Sequence, residues 1–205
     1  MVTNPTWTEL NAVNSMLLCI KESPVASIDE ADADFTNYME ALVAKDILHQ
    51  TNVQMQTSGY IFNTTDNVTL SPDTSGHIYL PVNTLVVRSH YAAYTYFGLD
   101  GKLWDKEANT DIFTSSAVVD LILFLDWDSL PPVFAQYITK VASKVFVDRM
   151  RGMGQSQFLD REIISLKSVI EEMVTHQESP TVFDNYRIGG MLDKFNNPIG
   201  GNVRR

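Results

Sequence analysis

The residues best placed to do chemistry are carboxylates: Asp126-Trp127-Asp128, with Glu107 and Asp111 upstream, could flank a glycosidic bond. Glycoside cleavage needs such a pair at a set separation, with one member held protonated by a raised pKa. Nearness along the chain establishes neither condition. A capped acidic loop between a strand and a helix accounts for the same residues more simply, so no catalytic residue is assigned. The four histidines, His49, His77, His90 and His176, fall in different segments without the spacing of a zinc helix or finger. Packing or surface roles are expected for them, and no metal ligand is assigned.

Nucleophile and phosphate-binding signatures are also missing. Gly152-Met153-Gly154-Gln155-Ser156 lacks the strand-to-helix elbow and placed base of a serine hydrolase and reads as a turn between helices. Gly189-Gly190 and Gly200-Gly201 lack the Lys-Ser/Thr continuation of a phosphate loop and read as hinges, so no cofactor is expected. Cys19, the only cysteine, excludes an intrachain disulfide and thiolate-rich zinc sites, and points to a reducing compartment. Within Met16-Leu17-Leu18-Cys19-Ile20 it is expected to pack as a small apolar side chain. Tyr91, Tyr94, Tyr96, Phe97 and Trp104 could stack bases, but no basic groove accompanies them; sheet packing, or an interface anchored by aromatics, fits better.

Fifteen basic residues against twenty-five acidic ones give the 205-residue chain a formal charge of −10. That balance argues against holding a phosphate backbone by charge neutralisation, though not against nucleic acid passing nearby. Arg204-Arg205 at the basic end are compatible with pairing to an acidic groove or with free solvation. Hydrophobic residues make up 44%, enough for a folded core. The opening Met1-Val2-Thr3-Asn4-Pro5-Thr6-Trp7 has neither the basic segment nor the apolar core of a secretion signal, and the most apolar run is interrupted by Asp120 and Asp126. A soluble protein without a membrane span or cleavable leader is expected.

Four helical patterns and a β-prone middle must position these residues. Thr8 is a candidate cap for a first helix carrying Leu10, Val13, Met16, Leu17 and Ile20, stopped by Glu22-Ser23-Pro24. Asp29, Asp32 and Asp34 precede a second helix near 33–57, with Phe35, Met39, Leu42, Val43, Ile47 and Val53 inward and Gly59 as terminator. Short β-prone runs follow at Tyr60–Phe62, Val68–Leu70, His77–Leu80 and Leu85–Val87, too closely spaced for parallel crossovers and therefore antiparallel. Tyr91–Phe97 and Lys102–Trp104 pair across an Asp100-Gly101 turn, a further turn leads to Ile112-Phe113, and Val118–Leu125 reads as a central strand buried on both faces. Pro131-Pro132 opens a third helix with Phe134, Tyr137, Ile138, Val141, Val145 and Phe146 inward. A fourth runs from about Gln157 to His176 with Phe158, Ile163, Leu166, Ile170, Met173 and Val174 as its apolar side.

The expected class is α+β: an antiparallel four-helix bundle from 1–59 and 127–179, an inserted antiparallel β domain over 60–126, and an extended, flexible C-terminal tail over 180–205. Phe183, Tyr186, Ile188, Met191, Leu192 and Phe195 are isolated apolar anchors in that tail, suited to folding on a partner.

Trp7–Asn14, Ile20–Val25 with the acidic stretch Ser27–Asp34, Gln54–Asn63, Asp126–Pro131 and Tyr137–Ser143 together resemble, in the same order, the tail tubular protein A family. These are head-to-tail adaptor or gatekeeper proteins of short-tailed, T7-like bacteriophages. The resemblance implies a structural virion protein, assembled in the host cytoplasm, whose copies form a ring of about twelve by closed symmetry. It implies a portal protein bound through the C-terminal segment, a tail nozzle protein (tail tubular protein B) on the opposite side, and genomic double-stranded DNA passing through the lumen without specific binding. An envelope glycan (peptidoglycan) hydrolase associated with the tail and a generic protein-binding module are the alternatives; no matched catalytic motif carries the first.

Overall fold

In a computed structural model of the chain, the described residues are 7–28, 38–91 and 94–178. The first helix, α1 (Glu9–Cys19), starts where expected, with the Thr8 hydroxyl accepting the Asn11 amide at 3.2 Å. Its end is set earlier than Glu22-Ser23-Pro24. Lys21 turns left-handed (φ 64), and the amides of Lys21 and Glu22 donate back to the carbonyls of Leu18 and Leu17. Those bonds satisfy two helix-end carbonyls, and the Arg151 guanidinium takes the next, on Ile20.

The second helix, α2 (Tyr38–Gln56), ends three residues before Gly59, whose φ of 78 turns the chain. Its expected start at residue 33, with Phe35, lies outside the described residues. The buried face differs from the expected stripe: Ala41, Ala44, Ile47, Leu48, Thr51, Asn52 and Gln56 point inward, while Met39 is exposed. Small alanines allow close approach to neighbouring helices, and packing overrides a pattern drawn from large apolar residues alone.

Pro132 begins α3 (Pro132–Arg151), tolerated there because a first-turn amide has no helical partner. Phe134, Ala135, Ile138, Ala142, Phe146 and Val147 are buried, whereas Val145, expected inward, is exposed and Val141 half-buried. Ala142 occupies the contact line instead, beside Phe146, which is buried as expected. Burying one such phenylalanine fully contributes about 1.5–3 kcal/mol. After a 3-10 turn at Gln157–Leu159 comes α4 (Asp160–Glu178), with Ile163, Leu166 and Ile170 against the helical core as expected. Leu159 is buried in place of Phe158, which is exposed because the tight turn rotates it outward. Met173 is also exposed; the Val174 and His176 side chains lie outside the described residues. Central α3 packs on α1, α2 and α4, and α1 also packs on α2.

Among the described residues, five strands lie between α2 and α3. β1 (Thr64–Leu70), β2 (Thr84–Ser89) and β5 (Ala117–Leu123) form one antiparallel sheet in the order β1-β5-β2. β3 (Tyr96–Leu99) and β4 (Lys102–Asp105) form a hairpin across Asp100-Gly101, both with positive φ (51 and 74) as a two-residue primed turn requires. β5 is central as expected but alternates: Ala117, Val119 and Leu121 enter the β core with Ile78, Val87 and Leu103, while Val118 and Asp120 are half-buried. One side of the sheet meets that core, which produces a period of two as far as Leu121; Ile122, on the opposite face, is buried beside Gly59. Tyr60–Phe62 is a turn instead of a strand, and His77–Leu80 and Ile112-Phe113 contribute only bridges, at His77 to Ile112 and Tyr79 to Lys102. Tyr91 and Tyr94–Thr95 precede β3 without pairing as strand.

Candidate functional site

The structure redistributes the acidic candidates. Glu107 sits in the turn that follows β4, beside Thr95, and Asp111 accepts from Lys102 at 3.3 Å and meets His77 at 3.2 Å. Asp126 and Asp128 instead line an open groove of about 370 Å³ with Glu9, Leu48, His49, Asn52, Phe124 and Trp127. The first turn of α1, the middle of α2 and the loop entering α3 supply its walls. Both aspartates are exposed, and none of the three groove carboxylates pairs with a cation among the described residues. A general acid needs apolar enclosure, which these lack. Sequence reading missed Glu9 and Asn52, because their nearness to 126–128 exists only once α1 and α2 pack.

Trp127 anchors this end. Its indole nitrogen donates to the Trp7 carbonyl at 2.7 Å, and the Trp7 indole donates to Thr139 on α3 at 2.9 Å. The loop after α1 is tied down in the same manner, with the Asn14 amide clasping both the N–H and the carbonyl of Val25 (2.8 and 3.0 Å).

A polar neck joins the helices to the sheet. Gln56 is fully buried; its Nε2 donates to Asn52 Oδ1 (2.8 Å) and the Leu125 carbonyl (2.9 Å), and its Oε1 accepts the Leu125 amide (2.8 Å). Asn63 donates to the carbonyls of Gln56 and Leu123 (3.0 and 3.1 Å) and accepts the Tyr60 amide (2.7 Å). Two amide side chains thus bind the strand entering the β region to the strand leaving it. Gly59 is required between them, since a Cβ there would lie 2.7 Å from Ile122 Cδ1. Tyr60 and Phe62 stack on each other and set their edges against Phe134. Burial raises the Tyr60 phenol above its usual pKa, with further upward pushes from Tyr137 and Glu171.

On the β region, Tyr79–Val82, Thr84–Val87 and the β3–β4 hairpin border a second groove of about 710 Å³. Tyr79, Val82 and Phe97 are exposed around it. Of the five singled-out aromatics, Tyr96 packs onto the β core and against Phe113, Phe97 leans on Trp104, and Tyr91 and Tyr94 remain exposed.

His49 lies exposed on α2 at the acidic groove, and His90 contacts Asp120 at 2.6 Å. Among the described residues no group of three His, Cys, Asp or Glu could hold a metal ion, and no helix is long and apolar enough to cross a membrane. Cys19 is half-buried; burial pushes its thiol up, opposed by the Lys140 charge and a hydrogen bond with Ser143. Gly152–Ser156 is the expected turn between helices. Gly189-Gly190, Gly200-Gly201 and Arg204-Arg205 lie outside the described residues.

These features define an α+β scaffold: a helical part and a β part locked at a buried polar neck, each with an open surface groove. The sequence pattern of the tail tubular proteins matches residues 10–180, and the chain belongs to that family. Tail tubular protein A of Klebsiella phage KP34 is a relative, 26% identical over 175 residues that cover 84% of this chain and 90% of that protein.

Proposed function

We propose that this chain is a structural virion protein, the head-to-tail adaptor of a short-tailed phage, with copies forming a ring of about twelve between portal and nozzle. The observation that carries this reading is the family match across residues 10–180, which spans both helical parts and the β region between them. The helical unit, 1–59 with 127–179, closes as an antiparallel four-helix bundle around α3 and holds neighbouring copies in register. The β unit, 60–126, is inserted between them and presents hairpin tips to one neighbouring component, the nozzle. Two separate apolar clusters, one helical and one β, support the division. Residues 180–205 attach the portal through their spaced apolar side chains.

Genomic double-stranded DNA passes through the lumen without specific binding. The wall it meets is neutral or acidic, because a chain of charge −10 repels phosphate along the channel instead of holding it. Ring closure multiplies modest contacts, since later engagements become effectively intramolecular. Assembly takes place in the host cytoplasm, and the mature protein stands at the head–tail junction. Protein-specific labelling of purified virions tests this: label at the junction is expected, and a chain absent from particles overturns the reading.

A further inference from the structure

The groove bounded by Glu9, Asp126 and Asp128 has the makings of a receptor for a basic peptide. Its three carboxylates have no cationic partner among the described residues, and Trp127, Phe124 and His49 provide ring surface beside them. An independent feature points to a ligand. Asn52 is 4% exposed and lines the groove; its Oδ1 is occupied by Gln56, but its amide nitrogen has no partner among the described residues. Two N–H donors are thus available at the floor for a peptide carbonyl, with acceptors above for a guanidinium. Arginine suits such a site because its planar fork pairs with carboxylates and stacks on aromatic rings.

The chain carries a matching segment. Residues 179–205 hold four basic groups, Arg187, Lys194, Arg204 and Arg205, against two acidic ones, whereas residues 1–178 hold eleven basic and twenty-three acidic. The segment is therefore net positive in a negative protein. Geometry also delivers it to the correct end. Lys144 pairs with Asp160 and Lys140 with Glu162, so α4 runs antiparallel to α3. From Asp160 to Glu178 it covers roughly 27 Å, enough to pass the start of α3, twelve residues before Lys144. The end of α4 therefore points to the same end of α3 as the loop that carries Asp126–Asp128. A flexible linker of the length from residue 179 to Arg204 would span roughly 30 Å, and tethering would give it an effective concentration on the order of millimolar.

We propose that the Glu9–Asp126–Asp128–Trp127 groove is the docking site for the arginine-bearing segment 179–205 of the same chain. Docking holds the segment on its own body in the isolated protein, and it requires neither portal nor ring. Attachment elsewhere then competes with this internal contact.

The test uses the full chain with a nitroxide at Gly200→Cys in a Cys19→Ser background, read by nuclear magnetic resonance. Loss of the amide signals of Glu9, His49 and Trp127 is expected, with recovery in Arg204→Glu/Arg205→Glu, which alters only the segment. Asp126→Lys/Asp128→Lys should restore the signals as well, and combining both reversals should remove them again. Signals unaffected by the nitroxide, or a loss that survives either reversal, would overturn the proposal. In a mixture of isotope-labelled chains without nitroxide and unlabelled chains bearing it, no loss is expected; loss there would place the segment in a neighbour's groove and overturn the same-chain assignment.

Discussion

Replacing Gln56 by leucine should damage the neck out of proportion to the change in volume. Leucine is of similar size, so the cost comes from hydrogen bonds and not from a cavity. In the native chain three short bonds, 2.8 to 2.9 Å, join the Gln56 side chain to Asn52 and to both backbone groups of Leu125. Gln56 is fully buried, so water cannot replace them without opening the neck. Each orphaned buried polar group costs about 1–3 kcal/mol. With the Leu125 N–H and carbonyl both affected, Gln56→Leu is expected to lose about 3–5 kcal/mol of stability, a large part of the 5–15 kcal/mol typical of a domain. Urea unfolding followed by circular dichroism gives the total, and hydrogen exchange at the Leu125 amide localises it. A loss under about 1 kcal/mol with unchanged exchange at Leu125 would refute the view that these amides lock the two parts together.

Other expectations follow from the same geometry. Gly59→Ala combines a left-handed φ with a clash on Ile122, and should lower stability by about 1–3 kcal/mol in the same unfolding assay. The Asp73 carboxyl lies below its usual 3.8, chiefly because the His77 amide donates to it, with further help from Ser75. The turn it holds is therefore fully supported above the ordinary carboxylate range and loses that support as pH falls through the lowered pKa; an Asp73 titration midpoint at or above 3.8 would contradict this. Deleting residues 180–205 should leave the helical circular dichroism in place while weakening portal capture in a pull-down. Normal capture by the folded truncation would remove portal binding from that segment.

How much could be read from the sequence depended on which physical signal was local. Caps, breakers and turns were: Thr8, Pro132, Gly59 and Asp100-Gly101 each act through one or two neighbouring residues, and all four fall where the chain requires them. Helix faces were less legible. Ala41, Ala44 and Ala142 are buried while Met39 and Val145 are exposed, because close contact between helices selects small side chains that apolar spacing alone ranks low. Tyr60–Phe62 has strand-like residue types, yet its rings are claimed by Phe134 across the neck, a contact separated by some seventy positions. Gln56 and Asn63 belonged to a recognisable stretch, but their role depends on Leu123 and Leu125 arriving from β5. The groove carboxylates were half visible: Asp126 and Asp128 as a pair, Glu9 only through the packing of α1.

The mass of the chain measured in the presence of its portal tests the adaptor reading most directly. A complex heavier than the portal alone by about twelve times 23.1 kDa is predicted, since a closed ring engages every equivalent portal site. A portal that passes through unchanged, or one that gains only a single 23.1 kDa copy, would contradict it.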